Sequence, residues 1–554
     1  MTFHPYSRFC LAACLLLWLP ASLRAAGDSN TLPLVAKWGR FERSFTSAVA
    51  YTNPPQAATL TATFTSPLGE TNTVFGFWDG NKIWRVRFSP DQPGRWSFKT
   101  TCSDRANTNL NNISGEFLCS SATGDARFQK HGPIGVARDR RHLEHQDHTP
   151  FFWLADTVWD GALLAKDKDW YYYARTRSQQ GFTAAQWIAV PGTDLKKRTA
   201  FSGTKSIVIN PDYFKQLDAR VEILNRVGLL SAIVPLRDIP SPGKAGIGAL
   251  PEDQVILLLR YMVARWGAND VAWILTCEGD NLGRNVDRWK RIGRAVFGDG
   301  PHAPVIVDPG ESYWVLDEFR REPWVDLLGY QSGQEVSEDT LLWMVAGPVS
   351  RDWRKEPFRM TVNLALPYEN EQMARSQHRT DPLEVRRAVY WSLLNAPASG
   401  VSYGAYGVWN WMADTASTNA AQAGVALPGW QKSLFLPAAK QMTNIATLFN
   451  GIDFWRLRPA PELIVNQPGL QSPGRHVAAA RTENRDMALV YVPEDRTIEL
   501  TLDALPPSPN VTWINPRTGG RSRAVAVIGP KSCQFPTPGA GDWLLLMTRS
   551  KAKL

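Results

Sequence analysis

The chain reads Val271-Ala272-Trp273-Ile274-Leu275-Thr276-Cys277-Glu278-Gly279-Asp280 near its middle, an apolar run followed directly by two acidic residues. A short apolar run of this kind is typical of a strand in a parallel sheet, because both faces of such a strand are buried. Residues 285–297, which follow, carry apolar side chains at helical spacing. A buried strand followed by an amphipathic helix indicates an α/β fold.

The same alternation extends in both directions from this stretch. Strands are predicted at residues 151–155, 182–190, 229–236, 271–277, 304–307, 325–330, 358–364 and 400–403. Helices are predicted at residues 168–180, 211–228, 251–266, 285–297, 340–349 and 383–395. Eight strands that alternate with helices over about 300 residues predict a (β/α)8 TIM barrel, whose chemistry belongs at the C-terminal ends of the strands.

Both flanks of the predicted barrel have a different pattern. Residues 82–88, Lys-Ile-Trp-Arg-Val-Arg-Phe, alternate with period two and follow the turn Asp79-Gly80-Asn81. Short alternating runs separated by turns predict β-sandwiches. At 554 residues the chain is too long for one core. We therefore divide it into a signal peptide at 1–26, a sandwich at 27–125, the barrel at 126–447 and a second sandwich at 448–554.

The N-terminus has the pattern of a secretory signal. Arg8 precedes an apolar stretch at residues 11–19, and small residues at Ala25 and Ala26 offer a cleavage site. That stretch is too short to span a bilayer, and the sequence contains no other membrane-span candidate. These features predict a secreted or periplasmic protein without a lipid anchor.

Two cysteines of the first sandwich, Cys102 and Cys119, flank a polar, Asn-rich segment. In an oxidising compartment this arrangement predicts a disulfide that closes a hairpin.

The formal net charge of the chain is +9. An exported protein rarely meets nucleic acid, so we expect no nucleic-acid partner. The basic charge fits weak attraction to an acidic polymer such as pectin, and it fits equally an ordinary solvated surface. The oligomeric state is left open.

Acids, amides and aromatic residues collect at the predicted strand ends. The candidate catalytic residues are Glu278, after the fourth strand, and Glu369, after the seventh. A pair of carboxylates on one rim is what cleavage of a glycosidic bond requires, although any single acid also suits an ion pair or a helix cap. The candidate substrate-binding residues are Asp156, Trp159, Gln186, Trp187, Asp280, Gln331, Tyr368, Tyr403 and Trp409.

Metal and cofactor motifs are lacking in the sequence. It has no Cys-x-x-Cys pair and no Gly-rich phosphate loop after a strand. His142, His145 and His148 recur every three residues, but they lie in a polar stretch that suits an exposed loop. We predict no metal and no cofactor, with a carbohydrate as the substrate.

Several motifs resemble those of apiosidase-like glycoside hydrolases, the DUF4038 family. They are Pro150-Phe151-Phe152-Trp153-Leu154-Ala155-Asp156-Thr157-Val158-Trp159, the stretch 273–280, Tyr330-Gln331-Ser332-Gly333, residues 386–391 and Tyr403-Gly404-Ala405-Tyr406-Gly407-Val408-Trp409. Residues 34–120 resemble the DUF5060 sandwich. The C-terminal tail resembles the sandwich family that carries a collagen-binding label.

The resemblance implies retaining cleavage, with the acid/base on strand 4 and the nucleophile on strand 7. Glu278 falls where the family places the acidic residue of a Gly-Gly-Asp motif. Strand 7 of the family reads Glu-Pro-x-Tyr-Glu, whereas this chain reads Ala365-Leu366-Pro367-Tyr368-Glu369. The first Glu is therefore Ala365. Glu369 or Asp280 substitutes for it, the enzyme inverts configuration, or the barrel no longer hydrolyses.

The leading interpretation is an exported glycoside hydrolase that acts on plant-type, pectic polysaccharide or oligosaccharide. One alternative is a catalytically degenerate, hydrolase-like carbohydrate-binding protein, which Ala365 favours. Another is an adhesion or matrix-binding protein that works through its sandwiches. The sugar, the linkage and exo or endo action stay open.

Overall fold

The structure is a computed structural model that describes residues 32–237, 250–275, 285–298, 300–374, 378–413 and 428–549. The predicted signal peptide at 1–26 lies outside the described residues. Glu278 and Asp280 lie outside them as well, so the structure does not test their predicted roles.

The N-terminal region folds as two sheets packed face to face. Its strands are β1 (Leu34–Ala36), β2 (Phe41–Thr46), β3 (Leu60–Thr65), β4 (Thr71–Phe75), β5 (Phe77–Trp78), β6 (Ile83–Phe88), β7 (Gly94–Cys102) and β8 (Ser114–Ser120), with the short helix α1 (Pro54–Ala57). The sheet orders are β1-β8-β7-β3-β4 and β2-β6-β5. Aromatic rings fill the space between them, and Phe64 stacks on Phe88 at 4.1 Å between centroids.

Short elements connect this sandwich to the barrel. They are helix α2 (Arg127–His131) and the strands β9 (Ile134–Val136), β10 (Leu143–His145) and β11 (Pro150–Phe151). The three strands pair as an antiparallel sheet. Ile134, Leu143 and Phe151 pack against the inner core of the barrel, so this sheet covers the end of the barrel at which the strands begin.

Eight parallel strands form a closed barrel, which confirms the predicted fold class. They are β12 (Trp153–Thr157), β13 (Ala184–Ile188), β16 (Leu230–Val234), β17 (Val271–Leu275), β18 (Val305–Val307), β19 (Leu327–Gln331), β20 (Met360–Ala365) and β21 (Ala398–Gly404). A small hairpin of β14 (Phe201–Ser202) and β15 (Val208–Ile209) follows the second barrel strand.

Helices surround the barrel. They are α3 (Gly161–Leu164), α4 (Asp167–Gln179), α5 (Pro211–Arg226), α6 (Glu252–Trp266), α7 (Asn285–Phe297), α8 (Leu316–Phe319), α9 (Glu338–Ala346), α10 (Pro348–Asp352), α11 (Pro382–Leu394), α12 (Trp430–Ser433) and α13 (Pro437–Asn450). The predicted single helix at 340–349 is two helices, because Pro348 cannot continue the backbone hydrogen bonding of α9. None of the helices in the described ranges is long and apolar enough to cross a membrane.

The C-terminal region is a second pair of packed sheets. Its strands are β22 (Leu457–Pro459), β23 (Ala478–Thr482), β24 (Met487–Val492), β25 (Thr497–Thr501), β26 (Pro509–Ile514), β27 (Arg521–Arg523), β28 (Val527–Ile528), β29 (Ser532–Pro536) and β30 (Trp543–Arg549). The sheet orders are β22-β23-β24-β30-β26-β27 and β25-β29-β28. The first sheet rests on α11, where Tyr390 stacks on Tyr491 at 4.8 Å.

The predicted disulfide between Cys102 and Cys119 is wrong. Both side chains are buried free thiols. The strand register pairs Cys119 with Gly94, the first residue of β7, whereas Cys102 is the last of the nine residues of β7. At ~3.3 Å per residue the two cysteines are roughly 25 Å apart. A disulfide requires Cα atoms within about 7 Å.

Candidate active site

Alternate residues of each barrel strand face two different environments. Trp153 and Ala155 of β12, like Ala184 and Ile188 of β13, pack in the inner core of the barrel. The residues between them, such as Leu154, pack in the outer core between sheet and helices. This period of two decides which strand-end side chains reach the mouth of the barrel, by which we mean the space at the C-terminal ends of the eight strands.

Asp156 and Tyr403, predicted to bind substrate, lie in the outer layer and are fully buried. Asp156 Oδ2 accepts hydrogen bonds from the Tyr173 hydroxyl at 2.9 Å and from Arg177 Nε at 2.8 Å. Arg177 also donates to the carbonyl of Leu434 at 3.0 Å. This network attaches α4 to the first barrel strand. A role in binding substrate does not fit either predicted residue.

Glu369 is also turned away from the mouth, and it is 2% exposed. Its Oε1 accepts the backbone N–H of Ala438 at 2.8 Å, and its Oε2 accepts the N–H of Ala439 at 3.1 Å and the Tyr403 hydroxyl at 2.6 Å. Ala438 and Ala439 are in the first turn of α13, where backbone N–H groups have no partner within the helix. Burial raises the pKa of Glu369, while these hydrogen bonds oppose that rise. The carboxylate caps α13, which is the structural alternative to a catalytic role.

Two further residues that were predicted to bind substrate, Trp187 and Gln186, make their hydrogen bonds within the barrel wall. Trp187 belongs to the outer core, and its Nε1 donates to Ser231 Oγ at 2.8 Å. Gln186 faces inward, but both ends of its amide are used within the barrel. Its Nε2 donates to the carbonyl of Leu364 at 3.1 Å, and its Oε1 accepts from Ser402 Oγ at 2.9 Å. Gln186 therefore cross-links strands, and neither residue is placed to contact a ligand.

Three of the predicted aromatic residues do meet at the mouth. Trp159 Nε1 donates to the Tyr368 hydroxyl at 3.0 Å, and the Tyr368 and Trp409 rings lie 6.3 Å apart. The guanidinium of Arg237 lies 5.7 Å from the centroid of Trp159. Aromatic faces beside a cation and hydroxyl groups provide the surface on which a sugar ring can stack.

A polar pair lies at the ends of the fifth and sixth strands. Gln331 Nε2 donates to Asp308 Oδ2 at 2.9 Å, and Asp308 Oδ1 accepts the N–H of Gly310 at 3.2 Å. Both residues continue the inward-facing series of Ile306 and Leu327. Gln331 therefore reaches the mouth as predicted, and it does so together with a carboxylate.

Two half-buried carboxylates of the mouth, Glu371 and Asp160, are not among the residues that we predicted to bind or cleave the substrate. Glu371 Oε2 accepts from Trp409 Nε1 at 2.7 Å. Burial raises the pKa of Glu371, opposed by that hydrogen bond and by the charge of Arg379. Burial likewise raises the pKa of Asp160, opposed by the charge of Arg237. The only feature of the sequence that could have identified these two residues is their position, because each carboxylate follows a predicted strand by a few residues.

Strand β20 is irregular where the family motif loses its first Glu. The register with β19 shifts between Tyr330 and Gln331, so that Tyr330 pairs with Asn363 and Gln331 with Ala365. Such bulges often change the direction of side chains beside active sites. Ala365 itself is 2% exposed, and its carbonyl accepts the N–H of Ser332 at 3.0 Å.

A cluster of His378, Asp381 and Glu384 has ligand atoms within 4.8 Å of one another. Asp381 and Glu384 form the capping box of α11, each accepting the backbone N–H of the other. His378 lies 3.0 Å from Glu384. Helix capping explains this arrangement, so we assign no metal to it.

The chain belongs to the apiosidase-like catalytic-domain family of carbohydrate hydrolases, whose model matches residues 137–456. The model of DUF5060, a domain of unknown function, matches residues 34–103. Residues 459–548 match the family described as "Putative collagen-binding domain of a collagenase". The three families and their order agree with the resemblance found in the sequence.

Solved structures of glycoside hydrolases share the fold. A protein of Bacteroides vulgatus described as a "putative glycoside hydrolase" has a TM-score of 0.70 at 18% identity, covering 94% of this chain and 100% of its own. A family 5 glycoside hydrolase of the same species has a TM-score of 0.66 at 18% identity, covering 78% of this chain and 96% of its own. At these identities the likeness shows the fold alone. No curated protein matches the chain.

Proposed function

We propose that the protein is an exported glycoside hydrolase that cleaves plant-type, pectic polysaccharide or oligosaccharide with retention of configuration. The observation that carries this proposal is the match of the apiosidase-like family to the whole barrel. The aromatic residues Trp159, Tyr368 and Trp409 at the mouth support it, because they offer surfaces for sugar rings. The signal-like N-terminus supports export, and the basic net charge of +9 suits an acidic polymer.

Glu278 is the general acid/base in this proposal. It follows the predicted fourth strand in the sequence, and the described part of that strand is β17 (Val271–Leu275). A residue in this position donates a proton to the leaving glycosidic oxygen and later removes one from water. Asp280, two residues further on, is an alternative substitute for the strand-7 Glu that is Ala365 here.

The proposal is tested by incubating the protein with a panel of pectic and hemicellulosic oligosaccharides and measuring released sugar by chromatography. We expect release from pectic members of the panel. Glu278→Gln should fold normally and lose a factor on the order of 10²–10⁴ in turnover. The matched variant Asp280→Asn tests Asp280 as the substitute for the strand-7 Glu. A fully active Glu278→Gln enzyme would contradict the role of Glu278 as the general acid/base. If no oligosaccharide of the panel releases sugar, the proposal that the protein is a hydrolase is wrong.

A second candidate is a degenerate barrel that binds carbohydrate without cleaving it. It is favoured by Ala365, which removes one family carboxylate, and by Glu369, which is engaged as a helix cap. Under this candidate, calorimetry detects oligosaccharide binding by a protein that releases no sugar, and Ala365→Glu restores hydrolysis. Under the hydrolase proposal, Ala365→Glu does little or lowers activity, because it buries a second negative charge near a working one.

A further inference from the structure

Glu371 lies in the seventh-strand loop, which we define as residues 366–374 and 378–381 between β20 and α11. Residues of its two parts pair as a ladder. Asn370 N–H donates to Thr380 O at 2.9 Å, and Thr380 N–H donates to Glu371 O at 3.0 Å. Gln372 and Arg379 pair as an antiparallel bridge. The backbone that carries Glu371 is therefore fixed on both sides, as a catalytic group requires.

The Glu371 side chain is directed to the mouth of the barrel. Its Oε2 accepts from Trp409 Nε1 at 2.7 Å. Trp409 packs against the inner core, and its carbonyl accepts the N–H of Asp160 in the first-strand loop at 3.1 Å. The Trp409 ring also lies beside Tyr368. Glu371 thus shares the aromatic surface on which we expect the sugar to stack.

Glu371 differs from its neighbour Glu369 in the exposure of its carboxylate and in the groups that surround it. Glu369 accepts three hydrogen bonds and is 2% exposed. Glu371 is half-buried, and its side chain accepts hydrogen bonds from the indole of Trp409 and from the backbone N–H of Gln372. The guanidinium of Arg379 favours the ionised form of Glu371. Burial raises the pKa of Glu371, and Arg379 opposes that rise. A half-buried carboxylate on an accessible face is suited, in its ionised form, to attack a carbon centre.

We propose that Glu371 is the second catalytic carboxylate and replaces the strand-7 Glu that is Ala365 here. The inference rests on the proposed function, because it requires a glycosidic substrate. A Glu371 oxygen forms a bond to the anomeric carbon as the bond from that carbon to the leaving oxygen breaks. Glu278 gives its proton to the leaving oxygen. Glu278 then removes a proton from water, whose oxygen displaces Glu371 and regenerates both groups.

The test uses the full-length protein and the pectic oligosaccharide that it cleaves best in the panel. Glu371→Gln should lose at least ~10²-fold in kcat while it keeps its melting temperature and binds the oligosaccharide in calorimetry. Glu338→Gln, an exposed carboxylate in the first turn of α9, is the matched control and should keep wild-type kcat.

Chemical rescue then separates an attacking carboxylate from a structural one. With Glu371→Ala and sodium azide, we expect turnover to return, with a glycosyl azide of inverted configuration as product. Azide should rescue neither Glu369→Ala nor Asp160→Ala. The inference is overturned if Glu371→Gln keeps the wild-type kcat, or if azide rescues another variant and not Glu371→Ala. Neither result would contradict the proposal that the protein is a glycoside hydrolase. If the wild-type protein cleaves nothing, both proposals fail.

Discussion

Glu369 and Glu371 are two residues apart in one loop and have different surroundings. Glu369 faces the outer layer and satisfies N–H groups of α13, whereas Glu371 faces the mouth and meets the indole of Trp409. In the sequence, both residues are simply acidic residues that follow the seventh predicted strand, and nothing distinguishes them. Their roles are separated by which side of the backbone each side chain occupies. Asn370 lies between them with a φ of 61°, a left-handed conformation that turns the backbone, so the two side chains do not share one face.

We expect Glu369→Gln to lower stability with little effect on kcat at temperatures where the protein is folded. The amide nitrogen would face an N–H or hydroxyl donor, and leaving one buried donor unsatisfied costs ~1–3 kcal/mol. Urea denaturation and sugar release, measured on the same samples, check this prediction. An unchanged unfolding free energy together with lost turnover would assign catalysis to Glu369 instead.

The hydrogen bond from Trp409 should set the pH dependence of catalysis. It lowers the pKa of Glu371, against the rise that burial causes. Glu371 must be ionised to attack, so Trp409→Phe should move the acid limb of kcat/KM to higher pH. The profile of the wild-type enzyme, measured between pH 3 and 8 in the same buffers, is the reference. An acid limb that does not move, or moves to lower pH, contradicts the role of the indole.

At the scale of elements, the small sheet β9–β11 closes the lower end of the barrel around His145. The imidazole is 2% exposed, and its Nδ1 lies 2.6 Å from the carbonyl of Gly132. Rings of Phe128 and Phe151 pack around it. Burial lowers the pKa of His145 to about 4, so the folded protein keeps this residue neutral.

This low pKa predicts loss of stability in acid. Below about pH 6.5 the unfolded chain binds a proton on His145 that the folded protein refuses until about pH 4. The contribution of neutral His145 to the free energy of unfolding is therefore complete above pH 6.5, and it is lost as the pH falls from 6.5 to about 4. His145→Phe should flatten the fall in melting temperature between pH 6.5 and 4. The exposed His148→Phe is the control and should keep the wild-type slope.

The order of the elements was predictable from the sequence, whereas the direction of the side chains at their ends was not. All five residues of β12 and of β13 are buried, so the pattern contains no alternation from which to read the inner face. Asp156, Trp187 and Tyr403 were therefore predicted at the mouth but lie in the outer layer. Three residues were placed at the mouth correctly, Trp159, Tyr368 and Trp409. They lie in loops that follow the strands, and the aromatic residues of the sequence motifs were enough to predict their position.

At the scale of the whole molecule, the two sandwiches are attached to the barrel by buried ion pairs. Arg386 of α11 donates two hydrogen bonds to Asp542, at 2.7 and 2.8 Å. Arg265 of α6 donates to Asp79 of the first sandwich at 2.9 Å. Tyr491 and Leu544 of the second sandwich lie in the outer core of the barrel. The barrel therefore shares apolar surface with its flanking domains.

Asp542→Asn should destabilise the barrel together with the second sandwich. It leaves Arg386 buried without its partner charge, which typically costs ~3–5 kcal/mol. Differential scanning calorimetry should show one transition that moves to lower temperature. Asp495→Asn, which alters an exposed carboxylate of the same sandwich, should leave it in place. A separate low-temperature transition of the sandwich alone would show that the two parts unfold independently.

Proton NMR of the anomeric signals during cleavage tests whether this barrel is a retaining glycoside hydrolase. The sample is the wild-type protein with its best pectic oligosaccharide, followed from the first minutes before mutarotation. We expect a new reducing-end signal with the same configuration as the bond that was cut. A first product of opposite configuration, or no new anomeric signal, would contradict it.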